Sequence, residues 1–280
     1  MDAVIVIPAR YASTRYPGKP LADIRGASGR ARSLIRRTWD SAREVEGIAR
    51  VIVATDDVRI ADAATAFGAE VMMTSDSCRN GTERCAEVAK QLGDSVGIIV
   101  NLQGDAPLTP PWFIRDLIAA MRARPDCEVA TPVLRCDSAA LESFLEDRRH
   151  GRVGATTAVF DRDRRALYFS KEVIPYTGRP LRADETIPVF HHVGVYAYRP
   201  QALLAYGSWE PGALETWEGL EQLRFMENGT PVQCVEVESR GRSFWELNNP
   251  EDVPRIEAIL AELGYSDAQV ATLRDKGVLR

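Results

Sequence analysis

Short runs of Val and Ile that do not alternate with polar residues recur along this chain. AVIVI (3–7), RVIVAT (50–55), EVMMT (70–74), GIIVNLQ (97–103) and EVATPVL (128–134) are of this kind. A run that is apolar on both sides of the pleat suits a strand covered on both faces. Between and after these runs lie ARSLIRRTWDSARE (31–44), DVRIADAATAFG (57–68), GTERCAEVAKQLG (81–93) and PPWFIRDLIAAMRAR (110–124), whose apolar positions fall at helical spacing. The alternation predicts an α/β fold with a doubly wound, mostly parallel sheet. Ligands of such sheets sit beyond the carboxyl ends of the strands.

The second half is more mixed. TTAVFD (156–161), ALYFS (166–170), VFHHVGVYAY (189–198) and PVQCVEV (231–237) predict strands, while RPQALLAYG (199–207), ALETWEGLEQLRFMENG (213–229) and NPEDVPRIEAILAELG (249–264) predict helices. Residues 171–188 contain three prolines and no period, and predict a long loop. The tail, 265–280, predicts a short helix opened by Ser266.

Composition narrows the function. The chain has 280 residues, 45% apolar and 27% charged, with a net charge of −5. A general nucleic-acid binder is more often basic, so neither that class nor a membrane protein is expected. The start, Asp2 and then a strand, lacks a signal-peptide pattern. Five cysteines without a CxxC pair and three histidines argue against structural zinc and for reduced thiols in a cytoplasm.

Three segments carry chemistry. PARYASTRYPGKPL (8–21) places Arg10, Arg15 and Lys19, with Ser13, Thr14 and Gly18, just after the first strand. Arg forks and a Lys point charge suit a triphosphate, although neither GxxxxGK[ST] nor GxGxxG is present; a solvated loop with a turn at Pro17-Gly18 is the plainer alternative. In IIVNLQGDAPL a buried strand ends at Asp105, a carboxylate placed to hold a divalent metal or simply to close an Asx turn. Gln103 points to the same edge. In NGTERC, Asn80-Gly81 opens a helix and puts Arg84 in its first turn, near an anion site or on a plain surface.

In order along the chain, PARYASTRYPGKPL, VATDD, NGTERCAEV, VNLQGDAPL, ALYFSKEVIP, HHVGVYAYRP, LEQLRFMENG and NPEDV resemble the 3-deoxy-manno-octulosonate (Kdo) cytidylyltransferases over roughly residues 3–260. The resemblance implies a Rossmann-like nucleotidyltransferase fold and a cytoplasmic, dimeric, Mg2+-dependent enzyme. Such an enzyme transfers CMP from CTP to the anomeric hydroxyl of a 2-keto-3-deoxy sugar acid, releases pyrophosphate and feeds lipopolysaccharide or capsule assembly. It implies a nucleotide-binding part (1–135), a sugar-acid and dimerisation subdomain (136–210), a return to the main domain (211–264) and an extension (265–280). Carried over by position, Pro8, Ala9, Arg10, Ser13, Arg15, Lys19, Thr55, Arg84 and Gln103 meet CTP, with Arg10, Lys19 and Asp105 catalytic. Gln103, Tyr168, His192, Tyr196, Glu221, Gln222 and Arg224 shape the sugar-acid pocket. Asp105 and Asn248 hold the metal.

The chain also departs from the family pattern. Asn248 stands where an Asp ligand is usual, with Glu246 a possible substitute, and Ala106 replaces a common Glu. Thr157 replaces a Lys, Lys171 an Arg, and RGASGR (25–30) the usual NGKPM. These changes leave three alternatives: a modified relative of Kdo as acceptor, an ordinary Kdo enzyme with a rearranged metal loop, or a nucleotide-binding homologue with little transfer. Transfer to a sugar phosphate or a phosphonate is a further possibility.

Overall fold

The computed structural model describes residues 2–13, 16–153, 155–179, 185–242, 246–247 and 249–263. The chain runs from β1 (Ala3–Ala9) through a small hairpin, β2 (Asp23–Arg25) and β3 (Ala31–Ser33), into α1 (Leu34–Ala42). Then follow β4 (Arg50–Thr55), α2 (Val58–Ala66), β5 (Glu70–Met73), α3 (Gly81–Leu92), β6 (Ile98–Leu102) and α4 (Pro111–Ala123). Next come β7 (Val129–Arg135), α5 (Ser138–Arg149), β8 (Thr157–Phe160), β9 (Ala166–Ser170), β10 (Phe190–His192) and β11 (Val195–Tyr198). The last elements are α6 (Pro200–Tyr206), α7 (Ala213–Glu218), α8 (Leu223–Glu227), β12 (Val232–Val237) and α9 (Val253–Leu263).

One sheet joins the strands in the order β5-β4-β1-β6-β11-β7-β10-β8-β9, with β12 on the other side of β7. Its first half, β5 to β6, is parallel, as is the β7–β12 pair; the remaining pairs are antiparallel. The unalternating Val/Ile runs have their reason in the two faces of this sheet. Ile5 and Ile7 of β1 pack with Val53, Val100 and Phe113 on one side. Val4 and Val6, the intervening positions, pack with Ile52, Ile99, Val88 and Leu203 on the other. Full burial of each such side chain stabilises by about 1.5–3 kcal/mol.

Three local expectations change, and one helix is unforeseen. Residues 31–33 begin not as helix but as β3, because Asp23↔Ser33 and Arg25↔Ala31 pair across the RGASGR turn, where Gly29 takes φ 70°. The single helix predicted over 213–229 is two, α7 and α8, because Gly219 adopts a left-handed φ of 62°. VFHHVGVYAY divides into β10 and β11 where Val193 donates its N–H to Pro132 O. Helix α5 has little apolar periodicity, since Leu141 is its buried residue, and it starts by capping: Asp137 accepts from Ala140 N–H at 2.8 Å. The five cysteines are free and buried.

Two buried polar groups in the second half tie these elements together. Arg224 of α8 is about 1% exposed. It donates from Nε and Nη2 to Glu215 at 2.6 Å each, and from Nη1 to Glu83 of α3 at 2.9 Å. Arg224→Leu would strand Glu215 and leave Glu83 to Arg79 alone, so a loss of about 3–5 kcal/mol is expected in denaturant unfolding, with Glu215→Ala in the same background recovering part of it. His192 of β10 is buried with Nε2 2.9 Å from Thr131 Oγ1. Thr131 donates its own proton to Val195 O at 2.8 Å, so the ring is assigned as the Nε2–H tautomer. Burial, and then the neighbouring His191, push the His192 imidazole down to about 3. Above pH ~6.5 neither folded nor unfolded chain holds this proton. Below it the unfolded chain takes the proton and the folded one does not, so stability falls with pH down to about 3. His192→Gln should therefore lose less stability than wild type between pH 6 and 5, by about 1 kcal/mol, measured by unfolding at both pH values.

Candidate active site

The parallel strands β1, β4 and β6 end at one edge, and a cavity of about 1040 Å³ opens there. Close backbone approach builds its floor. A Cβ on Gly104 would stand 2.8 Å from Pro8 O, so that position needs glycine to bring the end of β6 against the end of β1, while one on Gly81 would stand 2.8 Å from Gln103 Nε2 and push that side chain aside.

The loop after β1 folds back on itself. Gly18, with φ 70°, donates its N–H to Tyr11 O at 3.0 Å and packs against the Tyr11 ring. The Arg59 guanidinium covers that ring at 3.3 Å from its centroid and is itself held by Asp57. This stack is a support that sequence reasoning did not supply; the aromatic between the two Arg positions was its one visible sign. The fold-back delivers Lys19 to the centre of the site. Its Nζ lies 2.5 Å from Asp105 Oδ2 and 2.8 Å from Leu247 O, while Leu247 N–H donates to Asp105 O at 2.9 Å.

Beside them is Glu246. Burial, and then the charge of Asp105, push its carboxyl up to about 7, with Lys19 pulling the other way. Gly194 makes room for it: a Cβ there would meet Glu246 Oε1 at 2.9 Å. Two carboxylates facing one cavity, one of them reluctant to ionise beside the other, form a donor set suited to a divalent cation, because a cation removes their repulsion. Among the described residues no group of three or more His, Cys, Asp or Glu gathers for a metal, so the remaining ligands would be water or substrate oxygen.

Farther along the cavity, Glu221 spans two elements. It accepts from Gln103 Nε2 and from Thr82 N–H at the start of α3, each at 3.0 Å, and burial raises its carboxyl. Tyr196 donates to Gln222 Oε1 at 3.0 Å, leaving the buried Gln222 Nε2 without a hydrogen-bond partner among the described residues. A buried donor left unpaired costs free energy unless something in the cavity accepts from it. Lys171 also reaches the cavity wall, by Gly219.

Of the predicted residues, the structure brings together Pro8, Ala9, Arg10, Ser13, Lys19, Arg84, Gln103, Asp105, His192, Tyr196, Glu221, Gln222 and Arg224 around this one cavity. Not all offer it free donors. Arg84 is buried against Asp56 at 3.2 Å and against Thr74, and Arg224 is committed as described above. Thr55 and Tyr168 stand off it: Thr55 Oγ1 accepts from Asp57 N–H at 3.2 Å, and Tyr168 donates to Glu218 at 3.4 Å. Thr157 is likewise internal, donating to Glu172 O at 2.6 Å. Arg15 and Asn248 lie outside the described residues. Asn249 and Asp252, a reciprocal capping box at the cavity rim, escaped notice although NPED spells it.

The Cytidylyltransferase family model matches residues 4–237. A 3-deoxy-manno-octulosonate cytidylyltransferase of Maricaulis maris is 45% identical over 264 residues, 94% of this chain and 99% of the relative. A mitochondrial one of Arabidopsis thaliana is 36% identical, over 93% of this chain and 84% of the relative. The solved structure of a CMP:2-keto-3-deoxy-manno-octonic acid synthetase complexed with CTP superposes with a TM-score of 0.79 at 34% identity, covering 94% of this chain and all of that one. The chain therefore belongs to the 3-deoxy-manno-octulosonate cytidylyltransferase family and is a nucleotidyltransferase.

Proposed function

We propose that the protein transfers CMP from CTP to the anomeric hydroxyl of Kdo or a closely related 2-keto-3-deoxy sugar acid, releasing pyrophosphate. The observation that carries this reading is the Lys19–Asp105 pair at the carboxyl edge of the sheet, with Glu246 beside it and the unpaired Gln222 amide in the same cavity. The reaction joins a hydroxyl oxygen to the α-phosphorus as the bond to pyrophosphate breaks, so positioning and charge neutralisation supply most of the catalysis.

Each end of the cavity takes one part. Arg10, Ser13, Arg15 and Lys19 hold the triphosphate, and Gln103 and the backbone of Pro8 and Ala9 flank the nucleoside. His192, Tyr196, Glu221, Gln222 and Lys171 receive the sugar acid, Gln222 by its free Nε2–H and Lys171 by its charge on the carboxylate. Arg224 serves by fixing Glu215 and Glu83 beneath the pocket. Asp105 and Glu246, joined by Asn248 in this reading, hold Mg2+. When bound, that ion neutralises phosphate charge and lowers the pKa of a coordinated hydroxyl. Lys19 meanwhile holds the Asp105 carboxylate in place by a direct ion pair.

The same reading makes 1–135 the nucleotide-binding part and 136–210 the sugar-acid and dimerisation subdomain, with 211–264 returning to the main domain and lending Glu221 and Gln222 to the acceptor, and it makes the protein a cytoplasmic homodimer. Tyr176, 92% exposed, and Leu167, 62% exposed, give the 136–210 segment apolar surface for that contact. No described helix is long and apolar enough to cross a membrane.

Mixed with CTP, Mg2+ and Kdo or related acids, the protein should release pyrophosphate; CTP binding without release for any such acid would overturn the reading. Asp105→Ala should cost at least ~100-fold in turnover. Glu246→Gln should raise the Mg2+ concentration for half-maximal rate by ~10-fold or more. An unchanged Mg2+ requirement would remove Glu246 from the metal site.

A further inference from the structure

The arginine run RARSLIRR (30–37) takes no part in the cavity described above through its cations. Arg30, Arg32 and Arg36 instead line a second cavity of about 310 Å³, between β3, the start of α1 and the face of α2 that carries Phe67. In a chain of net charge −5 this is a local excess of positive charge. Asp40 faces it, 2.5 Å from Arg32 and 4.0 Å from Arg36, and Asp23 lies on the wall. Arg37 stands directly behind, donating to Ile24 O and Arg30 O at 3.0 and 2.8 Å. Three arginines and Asp23 thus line the cavity, with Asp40 paired to two of the arginines and Arg37 behind. Arg36 rests on the Phe67 ring, 5.6 Å from its centroid, and its buried Nε faces Asp40 at 4.0 Å with no hydrogen bond among the described residues.

We propose that this cavity is a second site, one that binds a small phosphate-bearing anion. Guanidinium forks match phosphate oxygens in pairs, and Arg30, Arg32 and Arg36 together line this one small cavity. The size selects a phosphate, a pyrophosphate or a compact phosphate ester, since ligand pockets run from about 300 to 1,000 Å³ and nucleotides need the larger part of that range. The site shares a wall with the catalytic cavity: Leu34 lines the larger cavity, and Ser33 and Arg36 line the smaller. One turn on, Thr38 donates to Gly104 O at 3.0 Å, next to Asp105.

The test is calorimetric titration of the full-length protein with inorganic pyrophosphate at low salt, in wild type and three variants. Binding at this site should survive Lys19→Ala, which disables the catalytic cavity. It should weaken at least tenfold in Arg36→Ala. It should weaken equally in Ala66→Glu, which removes no arginine and sets a carboxylate on the exposed opposite wall, so a folding defect in the first variant does not decide the matter. Arg36→Lys should retain part of the affinity. Parallel titrations with inorganic phosphate and methyl phosphate separate free from esterified sources. Loss of all pyrophosphate binding in Lys19→Ala, or unchanged binding in Ala66→Glu, overturns the proposal. Pyrophosphate release assayed on the same variants reports the catalytic reading independently.

Discussion

Lys19 holds three distant parts of the chain at one point. Its ammonium meets Asp105 at the end of β6 and the carbonyl of Leu247 near the end of the domain, and it arrives there from the loop after β1. Residues more than two hundred apart in sequence converge on a single cation. A half-buried ion pair of this kind is weak support for stability, since desolvation and screening offset most of its attraction. Its value is in placement. Without Lys19, Asp105 and Glu246 would face each other across the cavity with no cation between them, and the segment at 246–247 would lose a tie to the sheet edge. The opposite pull of Lys19 and Asp105 on the Glu246 carboxyl is the same fact in electrostatic form.

The rest of the site is built to let that point form. Glycine at 81, 104 and 194 removes side chains where backbone or a catalytic side chain must pass within 3 Å. Tyr11 props the loop from one side and Arg59 covers Tyr11 from the other. On the acceptor side the support is a layer of buried charge, Arg224 with Glu215 and Glu83, that holds the start of α3 against α7 and α8. Glu221, which joins Thr82 to Gln103, is the bridge between the two halves.

Much of this was legible in the sequence, and the part that was not has a physical reason. The parallel half of the sheet followed from Val/Ile runs buried on both faces, and β4 and β9 fall on the residues read for them. The cations of PARYASTRYPGKPL and Asp105 were visible because charged residues at strand ends are unusual. What stayed hidden depended on long-range contacts. No local pattern separates an arginine that faces a ligand from one that faces carboxylates, so Arg84 and Arg224 read as site donors although their guanidinium groups are engaged within the protein. Thr55 read as a nucleotide contact for the same reason: a hydroxyl at a strand end serves a turn as readily as a ligand. The broken helix at Gly219 and the β2–β3 hairpin turn on single left-handed glycines, which periodicity does not register.

The departures from the family pattern acquire different weights once the contacts are known. Thr157 stands in place of a lysine, yet its hydroxyl is spent on Glu172 O and Ile174 N–H, so this change withdraws a cation from the acceptor end and turns the position to structure. Lys171 replaces an arginine but still reaches the cavity, exchanging a planar fork for a point charge. On the proposed reading they leave a less basic acceptor end, with Lys171 and an Arg152 already paired with Asp147 as its cations. Orientation of the sugar acid then leans on fixed neutral groups: the Gln222 amide, held by Tyr196, which donates, and His192, whose Nε2–H is spent on Thr131 so that its other ring nitrogen can only accept. Hydrogen bonds from fixed neutral donors discriminate by position more than by charge. The pattern of hydroxyl or amino groups on the acceptor, rather than its net charge, is therefore the property this pocket is built to select.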